Sequence, residues 1–560
     1  MPVILAINYP GHTASAALFK SGSLVAACAQ ERYDRQKKSG AFPAEAIHDC
    51  LRIGGLDWKD IDVVARCYDP NLLREYQSIA PNENEVYRAT RLLGKLEEDI
   101  FGLIGKTRKP QRFYRHHLCH LASTYFPSGF KNALLVSHDG VGEIQTQSVG
   151  IGTSGRIDTI SPNIDQPNSL GNVYQAITYY LGWRVGDEGI VMGLAPFGDA
   201  TARPAPSGPT YEELFRQMIV QNNDHIFSIN QDWFAYNEVR DKWVSDLFVE
   251  TFGPRRHVDG EIHQRHKNIA AALQNRLCEV VERQLRYYRK ETGLRRLCVA
   301  GGVGLNCSLN GHVQATGLFD EIFVTPASGD DGTPIGAGYL ASAELSGKNL
   351  LPQKMHNFNI GSRFSDDRLA KALSMSDVSF RQLEDFDFVA QLLSDGKVVA
   401  WFQSGAEFGP RALGARSILA NPFSEQIRDH INEKVKFREM FRPLAPAVLD
   451  EEQSTYFDLA QDSPHMLLAC KVKKDKKSII PAVVHVDDSA RVQTVSRESN
   501  PAFYELLQAF RRLTGVGVLL NTSFNVKGQP IVNTPEEAIE TFNGTNIDAL
   551  CMGKYLASKS

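Results

Sequence analysis

The strongest constraint on the fold comes from two segments. In each of them, a short apolar run leads through a glycine-rich turn into a helix. RLCVA precedes the turn GGVGLN (Gly301 to Asn306), and EIFVTP precedes ASGDDGTPIGAGYL, where Asp330 and Asp331 stand before small residues. Glycine lets the backbone approach a ligand closely, and N–H groups at such turns suit phosphate or ribose oxygens. The alternation of strand, turn and helix predicts an α/β fold with a nucleotide cleft between two lobes. A sugar kinase would share this pattern.

The N-terminal segment has the pattern of a strand, a loop and a hairpin. VILAIN is a short apolar run that ends at Pro10-Gly11, and TASAALFK and SLVAACAQE flank Ser21-Gly22. His12 lies on the loop. A single loop histidine is ordinarily polar surface, so the pattern alone assigns it no role.

A metal site is predicted from histidine spacing. In RHHLCHLAS, His116 and His120 are four residues apart, so in a helix both imidazoles lie on one face. The buried-strand run ALLVS ends at His138-Asp139-Gly140, which places a carboxylate at the end of the strand. Two imidazoles and a carboxylate suit a divalent transition metal. His117 and Cys119 point elsewhere on such a helix and are not expected to be ligands.

The segment from Gly405 to Pro446 predicts an anion site. Its cationic side chains include Arg411, Arg416, Lys434, Lys436, Arg438 and Arg442. Glycines and prolines beside these cations restrict the backbone and favour fixed side chains over a mobile basic surface. Arginine offers a planar fork to phosphate or carboxylate and lysine a point charge, so the expected partner is a small, highly charged anion.

Length and loop composition predict two domains. Residues 1–346 form the first, 347–362 a linker, and 363–560 the second. Residues 69–109 are interpreted as added helices. Residues 199–265 are interpreted either as an insertion that shapes a substrate pocket or as plain surface.

Composition excludes several classes of function. The formal net charge is −4 and no basic stripe carries interleaved aromatics, which argues against nucleic-acid binding. The nine cysteines are scattered without a C-x-x-C pair, as expected in a reducing cytosol. No apolar run is long enough to span a membrane and the N-terminus lacks a signal-peptide pattern, so a cytoplasmic protein without membrane contact is predicted.

The motifs resemble those of the O-carbamoyltransferases of the nodulation, cephamycin and nebramycin type. The matching stretches are the His12 loop, HHLCHLAS, VMGLAPFG, GGVGLNC, SGDDGTPIG, GPRALGARSI, IN-x-x-VK-x-RE-x-FRP-x-AP, HVDDSARVQTV and LNTSFN. They follow the family order from Ile4 to Ile531.

The resemblance implies an actin-like, two-lobed, metal-binding domain fused to a YrdC-like α/β domain. It implies that carbamoyl phosphate and ATP with Mg²⁺ give carbamoyl adenylate in the YrdC-like domain, and that the actin-like domain passes the carbamoyl group to a hydroxyl of a small-molecule natural product. It also implies Fe²⁺ or another divalent transition metal, and it leaves a homodimer open.

Residue by residue, the resemblance implies the following roles. The metal ligands are His116, His120, Asp139 and, from the second lobe, Asp330. The adenylate-holding turn is Gly301, Gly302 and Asn306. The carbamoyl phosphate and ATP site of the second domain comprises Arg411, Lys436, Arg442, Arg491, Asn521 and Ser523. His12 lies beside the acceptor hydroxyl, and His12, Arg442 and Lys436 are the expected catalytic residues. One departure is Ile190, where a lysine is expected, with Arg184 as a substitute.

Two other functions compete with this one. A sugar-kinase-like phosphotransferase explains the N-terminal lobes but gives Arg411 to Asn525 no role. A tRNA threonylcarbamoyl-type modification enzyme is opposed by the net charge of −4. A kinase releases ADP, whereas adenylation releases AMP and pyrophosphate.

Overall fold

The structure, a computed structural model, describes residues 2–239 and 241–559 and divides them between two compact units. The first unit holds residues 2–14, Phe19–Leu24 and Trp58–Lys354. The second holds Ser15–Leu18, Val25–Asp57 and residues 355–559.

The first sheet is built from the N-terminal residues. Its strands are β1 (Val3–Asn8), β2 (Ser15–Lys20), β3 (Ser23–Ala29), β4 (Val63–Arg66) and β5 (Gln111–Phe113). The helices along this part of the chain are α1 (Glu31–Asp34), α2 (Ala44–Gly54), α3 (Pro70–Ile79), α4 (Glu83–Glu97) and α5 (Ile100–Leu103). The strand order is β3-β2-β1-β4-β5, with β1 parallel to β4 and β4 parallel to β5.

The second sheet repeats this strand order. Its strands are β6 (Asn132–His138), β7 (Gln145–Thr153), β8 (Arg156–Asp165), β11 (Arg296–Ala300) and β12 (Glu321–Val324), and a separate hairpin joins β9 (Ile219–Gln221) and β10 (Phe227–Ile229). The helices are α6 (His116–Ser128), α7 (Leu170–Tyr180), α8 (Glu188–Leu194), α9 (Tyr211–Met218), α10 (Asp246–Phe252), α11 (Gln264–Thr292), α12 (Cys307–Ala315) and α13 (Thr333–Ser346). Read from its far edge, the order is β8-β7-β6-β11-β12.

The two sheets therefore have one topology. In each, the first three strands are neighbours in chain order and two later strands add in parallel beside the first. This duplication confirms the predicted α/β class with two actin-like lobes. Among the described residues, no helix combines the length and apolar character that crossing a membrane requires.

The second unit is built on a nine-stranded mixed sheet. Its strands are β13 (Val378–Gln382), β14 (Val399–Phe402), β15 (Arg416–Ala420), β16 (Ala445–Leu449), β17 (Leu468–Lys471), β18 (Ser489–Val495), β19 (Val518–Ser523), β20 (Ala549–Met552) and β21 (Tyr555–Lys559). Its helices are α14 (Asp366–Ser374), α15 (Asp387–Ser394), α16 (Glu425–His430), α17 (Gln453–Tyr456), α18 (Pro501–Thr514) and α19 (Pro535–Asn543). The order is β13-β21-β20-β14-β15-β19-β16-β18-β17.

Both faces of this sheet are covered. Along β14, Val399 and Trp401 belong to one core with α15 and α18, whereas Ala400 and Phe402 belong to another with α14 and α19. Successive side chains of a strand point to opposite faces, so an unbroken apolar run is what a strand buried on both sides requires.

Residues Val25–Asp57 belong to the second unit, although the sequence pattern placed them in the first domain. The backbone N–H of Ala27 donates to the carbonyl of Ile360. The Arg32 guanidinium donates to the carbonyl of Gly409 over 2.9 Å. The division after Lys354 falls inside the predicted linker, residues 347–362.

Candidate metal centre and anion site

The two histidines expected to bind a metal lie one turn apart at the start of α6. Their Nε2 atoms are 3.0 Å apart and both side chains are fully buried. The helix begins at His116, so the four-residue spacing puts both rings on one face, as predicted. Both Nε2 atoms therefore face one point.

Two carboxylates complete the cluster in the first unit. Asp139 follows β6, and Asp330 lies in the turn before α13. Nε2 of His116 is 3.5 Å from Oδ2 of Asp139 and 3.4 Å from Oδ1 of Asp330, and Nε2 of His120 is 3.6 Å from each of these oxygens. The candidate ligand atoms of the four buried residues all lie within 4.8 Å of one another. Two imidazoles and two carboxylates in this arrangement are compatible with a divalent metal.

The electrostatics of the cluster favour positive charge. Burial opposes charge on His116, yet attraction to Asp330 and hydrogen bonds to Asp139 and Asp330 hold its pKa well above the usual value. Burial likewise opposes ionisation of Asp139, but its hydrogen bonds to His116 and His120 keep the pKa of this carboxyl well below the usual value. A bound cation would replace the positive charge that the protonated imidazoles supply to the two carboxylates.

The glycine turn after β11 contacts one of the carboxylates. Gly302 N–H donates to Oδ1 of Asp139 over 2.8 Å, leaving Oδ2 to face the imidazoles. Gly301 has a φ of +83°, and a Cβ there would lie 2.1 Å from the carbonyl oxygen of His138. The turn therefore requires glycine at position 301, and it orients the aspartate. Its role toward an adenylate stays a prediction.

Asn306, the third residue of the predicted adenylate turn, caps α12. Its Oδ1 accepts from Leu309 N–H over 2.9 Å. Its Nδ2 donates to Oε1 of Gln274 over 2.9 Å. These contacts hold the start of the helix, and the role of Asn306 toward an adenylate stays a prediction.

His12 lies at the edge of the metal cluster. Its Nε2 is 3.7 Å from Oδ2 of Asp330, and its side chain is 56% exposed. Its Nδ1 is 3.3 Å from Oγ1 of Thr13. The structure thus brings the predicted acceptor-side histidine next to a candidate metal ligand while more than half of its side chain stays exposed.

Two residues beside the metal cluster were not identified from the sequence. The Tyr68 ring stacks on His116 with centroids 4.6 Å apart. The buried carboxylate of Glu143 accepts from the backbone N–H of His116 over 3.0 Å and from that of Asp69 over 2.8 Å. Its position three residues after Gly140, in HDGVGE, was the available signal, because a carboxylate at a helix N-terminus satisfies N–H groups that otherwise lack partners.

His117 does not belong to the cluster. Its Nδ1 is 2.9 Å from Oγ of Ser137 and its Nε2 is 2.9 Å from the carbonyl oxygen of Gln145. Burial lowers the pKa of this ring to about 3. Both nitrogens are therefore engaged away from the metal cluster.

Ile190 occupies the position where the family pattern suggested a lysine. The side chain is buried in α8, whereas Arg184, the suggested substitute, is exposed. Within residues 2–239 and 241–559, no contact links Arg184 to the metal cluster.

Lys436 organises the candidate anion site of the second unit. It is 3% exposed, and its Nζ donates to the Ser523 carbonyl over 2.6 Å and to the Asn525 carbonyl over 2.8 Å. Nζ is also 3.1 Å from Oγ of Ser523. Burial, together with Arg438, Arg442 and Lys37, lowers the pKa of this lysine well below its usual value.

Three arginines lie near Lys436. Burial and the charges of Arg442 and Arg491 lower the pKa of Arg438 well below its usual value. Arg442 is partly exposed, with its Nη1 3.6 Å from Oε2 of Glu439. Arg491 lies in β18, and its buried Nε has no hydrogen-bond partner within the described part of the chain. These four residues, Lys436, Arg438, Arg442 and Arg491, form a cationic cluster, to which Glu439 contributes one carboxylate.

The remaining predicted anion-site residues are placed as follows. Asn521 donates from Nδ2 to the Ala412 carbonyl over 3.2 Å and to Oε1 of Gln493 over 2.7 Å. These contacts link β19 to the loop that carries Arg411, which is half-buried. Ser523 touches Lys436 directly. Their roles toward carbamoyl phosphate and ATP stay predictions.

Two cations of the segment do not face an anion site, contrary to the expectation for the segment as a whole. Arg416 is fully buried, donates to the carbonyls of Gln403 over 2.6 Å and Ser362 over 3.0 Å, and stacks 3.7 Å from the centroid of Phe402. Lys434 is exposed and pairs with Glu433 over 2.9 Å. A guanidinium whose donors meet backbone carbonyls supports the loop and has few donors left for a ligand.

Comparison with known families gives a match over both halves of the chain. The model for the carbamoyltransferase N-terminus matches residues 3–339, and the model for the carbamoyltransferase C-terminus matches residues 390–559.

Relatives match over most of the chain. The nodulation protein NolNO of Sinorhizobium fredii is 35% identical, covering 98% of this chain and 79% of that protein. The nodulation protein NolO of Bradyrhizobium diazoefficiens is 36% identical, covering 79% of this chain and 78% of that protein. An uncharacterized Synechocystis protein is 36% identical, covering 100% of this chain and 97% of that protein.

Solved structures are only distantly similar. HypF of T. kodakarensis covers 62% of this chain and 48% of its own at 13% identity and a TM-score of 0.32. The ROK hexokinase of Thermus thermophilus covers 62% of this chain and 100% of its own at 13% identity and a TM-score of 0.31.

Proposed function

Because the chain belongs to the carbamoyltransferase family, we propose that it is an ATP-dependent O-carbamoyltransferase that works in two steps. In the first step, carbamoyl phosphate, ATP and one water give carbamoyl adenylate, phosphate and pyrophosphate. In the second, a hydroxyl of a small-molecule natural product attacks the carbamoyl carbon and AMP leaves. Candidate acceptors are an aminoglycoside, a macrolactam, a β-lactam, an alkaloid or a lipo-oligosaccharide alcohol.

The observation that carries the proposal is the cationic cluster in the second unit. Like charges in a partly buried site repel one another and, in addition to burial, lower one another's pKa, as they do for Lys436 and Arg438, so an anion among them would stabilise the arrangement. A triphosphate together with an acyl phosphate supplies several negative charges at once. We therefore assign the first step to this unit, with Lys436 and Arg442 neutralising the charge that develops on the leaving phosphates.

The metal cluster of the first unit supports the second step. His116, His120, Asp139 and Asp330 would hold a divalent ion, iron in our proposal, and such an ion would supply Lewis-acid chemistry at phosphate oxygens. His12 is the general base: its imidazole lies beside Asp330 and is open to an entering alcohol. An alcohol is a poor nucleophile until its proton is removed, and the imidazole accepts that proton.

The nucleotide product tests the proposal. Purified protein with carbamoyl phosphate, ATP, Mg²⁺ and a panel of decarbamoyl natural products should release AMP and pyrophosphate in step with carbamoylated product. ADP as the product would instead identify a phosphotransferase. Replacing carbamoyl phosphate with phosphate is the matched control and should abolish adenylate formation.

A further inference from the structure

Tyr68 lies between the metal cluster and the loop that carries His12. It follows the end of β4 by two residues and is 3% exposed. Its ring stacks on that of His116, with the centroids 4.6 Å apart and the two ring planes 24° apart. Because a turned ring would lose this contact, the stacking also fixes the direction of the Tyr68 hydroxyl.

The backbone on both sides of Tyr68 is anchored within the first unit. Sγ of Cys67 donates to the carbonyl of Ile7 over 3.3 Å. The N–H of Asp69 donates to the buried carboxylate of Glu143 over 2.8 Å. A hydrogen-bond donor that is held in this way needs no reorganisation when a reaction proceeds, which is the condition for electrostatic stabilisation of a transition state.

The hydroxyl of Tyr68 points at Gly11, the residue that precedes His12. A Cβ at position 11 would lie 3.3 Å from the phenol oxygen, and the φ of +144° favours glycine there. Glycine therefore leaves a gap in front of the hydroxyl. In the part of the chain that the structure describes, this hydroxyl makes no hydrogen bond. A tyrosine hydroxyl in a buried side chain ordinarily has a partner, so a ligand atom in the gap would supply what is missing.

The loop on the other side of this gap is also held in place. Asn8 is fully buried, and its Nδ2 donates to the carbonyls of His12 and Thr13, each over 3.2 Å. Arg66, the last residue of β4, donates from Nη2 to the Tyr9 carbonyl over 2.8 Å. The gap therefore lies between two fixed segments, and the proposed general base follows directly in the loop.

The proposed second step needs a hydrogen-bond donor near that base. When the alcohol oxygen bonds to the carbamoyl carbon, the C=O electron pair moves onto the carbonyl oxygen, which becomes negative. The alcohol proton passes to His12, and the phosphate oxygen of AMP leaves with its bonding pair as the C=O bond forms again. A phenol with an ordinary pKa near 10 keeps its proton at cellular pH and donates to such an oxygen.

We propose that Tyr68 is a further catalytic residue of the transfer step, and that its hydroxyl donates a hydrogen bond to the carbamoyl oxygen as negative charge develops there. The inference rests on the proposed function for the identity of the transferred group. A residue that only stacks on His116 would need the aromatic ring but not the hydroxyl. Tyr68→Phe separates these two roles, because it keeps the ring and removes one oxygen atom.

The test compares full-length, metal-loaded wild type and Tyr68→Phe with ATP, Mg²⁺ and carbamoyl phosphate. Pyrophosphate from the first turnover reports adenylation. AMP reports attack on the carbamoyl carbon, by an alcohol of the natural-product panel or, when none is added, by water. Tyr68→Phe should release the first pyrophosphate at the wild-type rate but AMP about 10²- to 10³-fold more slowly, the effect of removing one donor to a developing oxyanion. The KM for the alcohol should stay within about threefold.

Two further measurements separate catalysis from structure. Elemental analysis should find as much metal in Tyr68→Phe as in the wild type, because the ring that stacks on His116 is kept. Tyr180→Phe is the matched control: it removes another hydroxyl of the first unit, which donates to the Gly253 carbonyl over 2.7 Å, and should leave both steps within about twofold.

AMP release within about twofold of the wild-type rate in Tyr68→Phe would overturn the inference. A slower transfer that only parallels a loss of bound metal would overturn it as well, because the hydroxyl would then act through the metal site. Failure of the proposed function would appear in the wild type instead, as the absence of pyrophosphate from ATP and carbamoyl phosphate. The two failures are therefore distinguishable in the same set of proteins.

Discussion

Nε2 of His12 lies 3.7 Å from Oδ2 of Asp330, so the loop after β1 meets the turn that carries a candidate metal ligand. Asp330 is buried and His12 is largely exposed. This pair places an imidazole at the border between the metal cluster and solvent, where an acceptor alcohol would arrive in the proposed second step.

Replacing His12 should separate the two steps. We expect His12→Ala and His12→Asn to form carbamoyl adenylate normally but to transfer the carbamoyl group about 10²- to 10⁴-fold more slowly, the usual contribution of a positioned base. Pyrophosphate release and carbamoylated product, measured side by side, check this. His48→Ala, which changes an exposed histidine of the second unit, is the control. Equal loss of both steps would instead assign His12 a role in folding, and loss of neither would remove it from the mechanism.

Replacing His120 should remove the metal. His120→Ala deletes one of four candidate ligands and leaves a cavity in a fully buried site, so elemental analysis should find little bound metal and carbamoyl transfer should be lost. His312→Ala is a suitable control because His312 is exposed and pairs with Glu282. Full metal occupancy with intact transfer in His120→Ala would count decisively against the site.

Replacing Arg442 should affect adenylation first. Arg442→Ala leaves phosphate oxygens uncompensated, at an expected loss of about 1.5 to 3 kcal/mol. The rate of pyrophosphate release from ATP and carbamoyl phosphate measures this loss, with Lys434→Ala as the control. A normal adenylation rate combined with slow transfer would mean that the two half-reactions are assigned to the wrong units.

His266 should make the protein sensitive to acid. This buried histidine accepts from His263 N–H over 3.0 Å at the start of α11, and burial lowers its pKa to about 4. Between this value and the unfolded value near 6.5, the unfolded chain binds the proton and the folded chain does not, so stability falls as pH drops from about 6.5 to 4. The full loss is at most about 3 kcal/mol.

His266→Gln keeps an acceptor for the helix cap but cannot titrate, so its unfolding free energy should depend less on pH in this window. Urea unfolding at pH 7 and pH 5 measures the difference. The same pH dependence in the variant and the wild type would show that other groups control the acid sensitivity.

Most of the metal cluster could be predicted from the sequence because the patterns that indicate it are local. The spacing of His116 and His120 fixes their common helix face, and Asp139 ends an apolar run. Asp330 is different: it reaches the cluster from a turn almost 200 residues further along, and only the family resemblance assigned it there. The position of His12 beside Asp330 also depends on tertiary structure, which local patterns do not encode.

In the cation-rich segment, residue type alone does not predict which contacts a side chain makes. Arg416 and Arg438 have the same chemistry and lie in the same segment. Arg416 donates to backbone carbonyls in the core, whereas Arg438 donates from Nε to the buried amide oxygen of Asn432. The distinction depends on the pairing of β15 in the sheet and on the π-helical turn Ile431–Val435 that follows α16. Neither leaves a periodic pattern in the sequence.

The membership of Val25–Asp57 in the second unit has a consequence for synthesis of the protein. The ribosome makes this segment first, and roughly 300 residues follow before its partners in residues 355–559 begin to appear. At about 5 to 20 residues per second, that delay is about 15 to 60 s. During this time the apolar residues of β3 and α2 lack their neighbours from residues 355–559, so a chaperone that shields Val25–Asp57 should raise the yield of active protein.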